Sequence, residues 1–249
     1  MELTIIGSAP ASPNPGCASS CYLLDAGQGQ VLLECGHGAA AKLLLYTSVD
    51  DIGAVVISHM HPDHFFDLVP LKYHIEKYAY PRLPLYLPPA GADILRALAG
   101  SLGENHDFWG AAYELRDFES GSRFDLLGLS IKTFPSHHFI PAWGMRIAEP
   151  DAGLLGYTSD TSLTEELAGH LAGVDLVLAE SSLEKQTKSE LHQGHLTGAE
   201  AGALARRVGA KTLVLTHYPQ SGAEAIKREA STAFGQSCDL AVEGNRYTV

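Results

Sequence analysis

The sequence predicts an α/β fold whose pattern suits two sheets packed face to face with helices outside, and three observations carry that reading. Short apolar runs of strand character recur along the chain. Between them lie stretches whose apolar residues recur at helical spacing. The 249 residues are 45% hydrophobic, enough for one large core or two small ones. Proline and glycine are spread out and no low-complexity run occurs, so nothing marks a linker and one domain over 1–249 is expected.

The elements follow in order. Residues 3–7, 21–24, 31–34 and 54–58 read as strands, with a helix-like 39–46 before the last. Residues 67–78 read as a helix, because Leu68, Leu71, His74, Ile75 and Tyr78 recur at helical spacing. A strand at 85–87 and a helix at 92–98 come next. The middle is rich in strands, at 113–117, 124–126, 129–134, 144–148 and 154–158. Then come a helix at 165–171, a strand at 176–179, a helix at 198–208, a strand at 212–216 and a helix at 223–234. A terminal strand pair is expected near 240–249.

Composition narrows the function. No stretch of about 18 apolar residues occurs, so no membrane span is expected. The start, Met-Glu-Leu-Thr-Ile-Ile-Gly, lacks a basic segment and an apolar signal core and reads as a first strand. Cys17, Cys21, Cys35 and Cys238 are too few for a secreted disulfide scaffold in a chain of this size, and read as packed thiols in a reduced, cytoplasmic setting. The net charge of −12 comes with no basic stripe, which counts against a protein that grips long nucleic acid by its phosphates. Lys185, Lys188, Arg206, Arg207, Lys227 and Arg228 form the only loose basic clusters and read as solvated helix faces.

The most informative segment is His59-Met-His61-Pro-Asp63-His64, directly after the apolar Ala54-Val-Val-Ile-Ser58. Four metal-capable side chains fall within six residues where a strand ends. Imidazole and carboxylate are the donors of a zinc, manganese or iron hydrolase site. Residues two apart on an extended segment point the same way, so His59 and His61 can grip one ion. Asp63 and His64, past a bend at Pro62, can turn toward a second. Partners recur downstream: His138 after the strand at 129–134, Asp160 in Gly-Tyr-Thr-Ser-Asp-Thr, and His217 after the strand at 212–216. Each ends a strand-like run, where side chains from separate strands converge at one sheet edge. The seven residues suffice for two metals if Asp160 bridges them.

This ordered set resembles the metallo-β-lactamase superfamily, and within it the ribonuclease Z-like phosphodiesterase branch. The resemblance spans nearly the whole chain, from Leu3-Thr-Ile-Ile-Gly7 and Cys17-Ala-Ser-Ser-Cys21 through Val31-Leu-Leu-Glu34-Cys-Gly36 to Leu213-Val-Leu-Thr-His217-Tyr-Pro219. The branch rests on Glu180, in Leu178-Ala-Glu180-Ser, and on His195, in His195-Leu-Thr197. The resemblance implies the four-layer αββα sandwich. It implies two divalent ions, zinc first with manganese or iron as alternatives, one on His59, His61, His138 and Asp160 and the other on Asp63, His64, Asp160 and His217. It implies Asp63 as acceptor of the attacking water's proton, with His195 and Glu180 as further catalytic groups. Between the adjacent His137 and His138, the family's His-x-x-Pro pattern selects His138, since Pro141 follows by three.

These residue types suit hydrolysis. A bound divalent ion lowers the pKa of water to about 7, and two ions roughly 3.5–4 Å apart clamp both oxygens of an in-line displacement. The remaining histidines read as bland. His37 lies near the first motif and could line the cleft. His74 reads as a packed or subunit-contact residue. His106, His170 and His192 read as loop or helix-end residues. Trp143 and Phe139 flank Pro141, either as a pocket wall or as ordinary core.

Two departures from the family pattern stand out. Glu34 replaces the usual Asp behind the first metal loop. The Gly/Pro-rich arm that transfer-RNA processing enzymes use to clasp RNA is missing from the short interval between His138 and Asp160. The chain therefore reads as an arm-less binuclear metal-dependent hydrolase, a phosphodiesterase on small anionic diesters, with a homodimer among the assemblies open to it. The alternatives are a lactone, thioester or β-lactam hydrolase, an arm-less transfer-RNA 3′-processing endonuclease, and a non-catalytic binding module.

Overall fold

The computed structural model describes residues 1–105, 107–150, 152–183 and 194–249. His106, His192, Lys185, Lys188 and Asp151 of the expected turn at 149–153 lie outside the described residues.

The first half builds one sheet. Its elements are β1 (Glu2–Gly7), β2 (Cys21–Asp25), β3 (Gln30–Leu33), α1 (Ala39–Leu43), β4 (Ile52–Val56), α2 (Pro62–Phe65), α3 (Leu68–Lys77), β5 (Leu83–Leu87), α4 (Gly91–Ser101) and β6 (Tyr113–Asp117). The second half holds β7 (Arg123–Leu126), β8 (Leu129–Ser136), β9 (Ala142–Ala148), β10 (Leu154–Tyr157), α5 (Glu165–His170), β11 (Leu176–Glu180), α6 (Gly198–Val208), β12 (Thr212–Thr216), α7 (Ala223–Phe234), β13 (Asp239–Leu240) and β14 (Arg246–Thr248). The strand orders are β14-β1-β2-β3-β4-β5-β6 and β13-β12-β11-β10-β9-β8-β7.

Both faces of the central strands are apolar, and alternation sorts their side chains into layers. Leu3, Tyr22, Leu24, Val31, Val56, Met145, Leu178 and Val214 meet between the sheets. Leu23, Leu32 and Val55 face the other way, into the core under α3 and α4. Val177, Leu213 and Leu215 pack under α5, α6 and α7. The result is the αββα sandwich that the resemblance implied.

β3 to β6 are mutually parallel, as are β10 to β13. β8 runs in the direction of β10, because each is antiparallel to β9. The C-terminal ends of β4, β8, β10, β11 and β12 therefore deliver their following residues to one edge, the usual place for a site in such sheets.

Three expectations need correction. The strand expected over 54–58 ends at Val56, and Pro62 starts α2 rather than bending a loop. Proline suits a first helical position because its φ is already helical. A four-residue helix is too short for periodicity to reveal. The terminal strands do not pair with each other. β13 pairs with β12 in one sheet and β14 with β1 in the other, so the chain end ties the two sheets together. Tyr78, expected on the helix, lies just past the end of α3 and is exposed, and the buried polar residue of α3 is Lys72, whose Nζ lies 2.5 Å from Glu76 Oε2 and 4.2 Å over the Phe108 ring. Its stem covers apolar surface while its charge finds partners. All four cysteines are free, and Cys17 alone is partly exposed.

The Thr of His195-Leu-Thr197 has a local task. Thr197 Oγ1 accepts from Glu200 N at 3.2 Å and Glu200 Oε2 accepts from Thr197 N at 2.9 Å, a capping box that starts α6 and fixes the chain two residues after His195. α6 then packs closely on α7: a Cβ at Gly198 would lie 2.4 Å from Ile226 O, and one at Gly202 only 2.2 Å from Ala230 O.

The substitution Gly202→Ala is expected to force the helices apart and cost about 2 kcal/mol or more, in the range of overpacked cores. The urea midpoint of unfolding reads this. An unchanged midpoint would contradict the close approach.

Candidate active site

The site is built at the convergent strand ends. β4 exits to His59, whose backbone bridges Ala142 on β9 in the opposite sheet. α2 presents Asp63 and His64, both buried. The loops after β8, β10 and β12 bring His138, Asp160 and His217. Glu34, Ser159 and His217 hold left-handed backbone, with φ of 64°, 53° and 54°. Such strain costs of order 1–3 kcal/mol per residue and is characteristic of functional sites.

Two sets of donors form. In the first, one atom each of His59, His61, His138 and Asp160 lie within 4.8 Å of one another; Asp63, His64 and His217 form the second on the same measure. A third grouping joins Asp160, His195 and His217. Asp160 Oδ2 lies 3.8 Å from His59 Nε2, 3.9 Å from His138 Nε2 and 3.5 Å from His217 Nε2, and Oδ1 lies 3.5 Å from His64 Nε2. Of the two adjacent candidates, His138 enters the cluster, while His137 is exposed and joins none of the donor sets.

The outer nitrogens are held by the protein. Ser58 Oγ sits 2.9 Å from His59 Nδ1 and is itself backed by Ser159 Oγ at 2.9 Å. His138 Nδ1 donates to Gly194 O at 2.8 Å, turning Nε2 inward. His217 Nδ1 lies 2.6 Å from Ser182 Oγ. Glu34 approaches His64 Nδ1 at 3.6 Å and accepts from Tyr157 Oη at 3.1 Å and from Ser58 N. The extra methylene of Glu34 thus still leaves the carboxylate behind the metal-binding loop. Outer partners of this kind fix ring orientation and raise ligand basicity.

The inner atoms fit a cation. His59 Nε2 and both ring nitrogens of His64 are buried without a hydrogen-bond partner, beside Asp63 and Asp160. Buried polar atoms are nearly always satisfied, and imidazole with carboxylate is the donor set of divalent hydrolase metals. His61 Nδ1 and His138 Nε2 stand 3.0 Å apart, a separation that demands a shared proton or a shared cation.

The charge states of the first set agree, whereas in the second burial opposes protonation of His64 but the Asp160 and Glu34 carboxylates outweigh it and hold the ring well above its usual range. Burial, reinforced by neighbouring histidines, pushes His59 well down, and burial also lowers His61 and lowers His138 to about 4, so these rings offer lone pairs at neutral pH. Burial opposes ionisation of Asp160, but His217 and His64 outweigh it and hold the carboxyl well below its usual range. Asp63 is likewise lowered against its burial, chiefly by the His217 hydrogen bond at 2.9 Å.

Glu180 and His195 form a separate pair at the cluster's edge. His195 Nδ1 lies 2.9 Å from Glu180 Oε1 and 3.9 Å from Asp160 Oδ2. Burial opposes its protonation, yet the charge and hydrogen bond of Glu180 raise its pKa to about 9. Glu180 also accepts from the Thr161, Leu196 and Ser182 amides, joining three loops.

Sequence reasoning missed Ser58, Ser159, Ser182 and Tyr157. Their only signal was adjacency to the motifs, which serine occupies for many reasons. His37 bonds Ser19 Oγ and enters neither donor set. Trp143 is buried and packs edge-on against Phe118 at 5.9 Å, so it is core rather than pocket wall.

The family model for the beta-lactamase superfamily domain matches residues 22–218. The probable metallo-hydrolase YhfI of Bacillus subtilis is 28% identical over 250 residues, covering 98% of each chain. Its crystal structure matches with a TM-score of 0.89 at 25% identity, covering 100% of this chain and 99% of that one. A ribonuclease Z of Mycobacterium marinum is 28% identical over 276 residues, covering 100% and 99%. The short form of human tRNase Z shares the fold, with a TM-score of 0.79 at 22% identity over 100% and 99% of the chains.

Zinc or manganese added to metal-free protein is expected to raise Tm, by about 2.7 kcal/mol of stabilisation at a hundredfold excess over Kd. Asp160→Ala, which removes the only carboxylate of the first set, should abolish most of that shift in differential scanning fluorimetry. An unmoved Tm in the unaltered protein would show that the cluster does not hold a cation.

Proposed function

The chain belongs to the beta-lactamase superfamily, as its ordered motifs predicted, and we propose that it is a binuclear metal-dependent phosphodiesterase of small anionic diesters. Its membership and its likeness to a probable metallo-hydrolase and to ribonuclease Z support the hydrolase chemistry. The observation that carries the phosphodiester reading is the Glu180–His195 pair, an imidazole held 2.9 Å from a buried carboxylate, beside the first two donor sets and outside both.

The proposed ligands are His59, His61, His138 and Asp160 for one ion and Asp63, His64, Asp160 and His217 for the other, with zinc as the first choice. Such ions, when bound, supply the Lewis acidity that makes water a nucleophile near neutral pH. The chain's own residues do the rest. Asp63 is ionised and takes a hydrogen bond from the attacking water. His195 gives its proton to the departing alkoxide oxygen, help typically worth roughly 10²–10⁴-fold. Glu180 orients the ring through Nδ1, which leaves Nε2 for the leaving group. Ser182 Oγ, 2.8 Å from Glu180 Oε2 and 2.6 Å from His217 Nδ1, ties this pair to the second donor set.

The acidic charge and the filling of the His138–Asp160 interval by β9 and β10 favour short substrates over folded RNA. Four free thiols support a reducing, cytoplasmic setting.

The test is a panel on metal-loaded protein: bis-p-nitrophenyl phosphate, cyclic nucleotides, a homoserine lactone, a β-lactam and a precursor transfer RNA. Diester turnover should lead. A lactone or β-lactam that exceeds it about tenfold in kcat/KM would sink the phosphodiester reading, and efficient 3′ cleavage of the precursor would sink the preference for small substrates.

The substitution His195→Ala should keep both metals yet lose at least about 100-fold on diesters with poor leaving groups, and less on nitrophenyl esters. The imidazolium exists below its raised pKa, so activity on poor leaving groups should fall as pH rises toward about 9. Glu180→Gln removes the group that raises that pKa, so the fall should move to lower pH. A pH–rate profile with the same alkaline limb in both proteins would contradict the assignment.

A further inference from the structure

Phe139 is 51% exposed, although its ring lies 5.1 Å from His138 and 5.7 Å from His195, centroid to centroid. Exposure of one apolar ring is ordinary, and what sets Phe139 apart from Tyr73 or Tyr78 is its place against two imidazoles of the cluster. Its inner side rests on Gly194, where a Cβ would come within 2.9, 3.0 and 3.1 Å of three ring carbons. Bare backbone is therefore what lets the ring lie there. The same Gly194 carbonyl receives His138 Nδ1, so the ring is pinned between the loop after β8 and the segment leading into α6. Around it the site is polar, made of imidazoles and carboxylates.

Phe139 thus offers an apolar, planar surface on the side of the cluster where His195 stands. Its centroid stands 5.7 Å from that of His195, within reach of a leaving group whose oxygen meets that imidazole. We infer that Phe139 determines specificity by stacking a planar aromatic leaving group, so that the substrates are diesters with an aryl or nucleoside leaving group. This rests on the phosphodiesterase reading above. Stacking is tolerant of ring identity, because every base and aryl group has a π-face, and its loss is typically worth roughly 5- to 100-fold.

The experiment compares phenyl methyl phosphate with hexafluoroisopropyl methyl phosphate on metal-loaded protein. The two leaving groups are of comparable acidity and differ in planarity. In Phe139→Leu the ratio of kcat/KM, phenyl over fluoroalkyl, should fall about tenfold or more with metal content retained, and Phe139→Tyr should restore most of it. A ratio in Phe139→Leu within about twofold of the original would overturn the inference and leave the phosphodiesterase reading standing. Hydrolysis of neither ester by the unaltered protein would overturn both. If Phe139→Leu does not fold, the unaltered protein decides: a phenyl preference of about tenfold supports stacking, and equal rates refute it.

Discussion

A carboxylate buried among imidazoles is the constraint on which the rest of this structure depends. Asp160 is 2% exposed and has nitrogens of His59, His64, His138, His195 and His217 within 3.9 Å. An isolated buried charge would cost many kcal/mol and would neutralise instead. Here the surrounding rings hold it ionised. Because those rings come from five separate segments, neither sheet alone can assemble the site. The face-to-face packing is what brings the ends of β4 and α2 from one half against the ends of β8, β10 and β12 from the other.

The protein shapes each ring from behind. Ser58, Ser159, Ser182, Tyr157 and the Gly194 carbonyl take the outward nitrogens or the supporting carboxylates. Glu180 extends this role by joining the loops at Thr161, Ser182 and Leu196 while it holds His195. Backbone strain at Glu34, Ser159 and His217 falls next to these contacts. The apolar packing of two sheets and two helical layers supplies the stability that keeps such conformations in place.

The net charge of −12 bears on the proposed anionic substrate. Under the phosphodiesterase reading, divalent ions held by the two donor sets would supply positive charge for phosphate locally. The half-exposed Phe139 ring, 5.7 Å from that of His195, gives the polar site an apolar edge.

The sequence by itself located most of the strands and helices and the candidate donor groups, and the family resemblance implied how the layers stack. Continuous apolar runs at 3–7, 21–24, 31–34, 176–179 and 212–216 marked strands of the interior. The spacing of His59, His61, Asp63 and His64, with His138, Asp160 and His217 at later strand ends, named the donor groups that the fold brings together. Those signals are local and periodic, so a linear chain carries them. What only tertiary structure decided is relational. The one-turn helix α2 at Pro62 was too short to announce itself. The last two strands separate into different sheets because their partners, β12 and β1, lie far off in the chain. The serines behind the rings, the burial of Trp143, the exposure of Phe139 and the raised pKa of His195 all depend on which atoms meet across long sequence separations. Desolvation, hydrogen-bond direction and cleft shape exist only once the two sheets have closed.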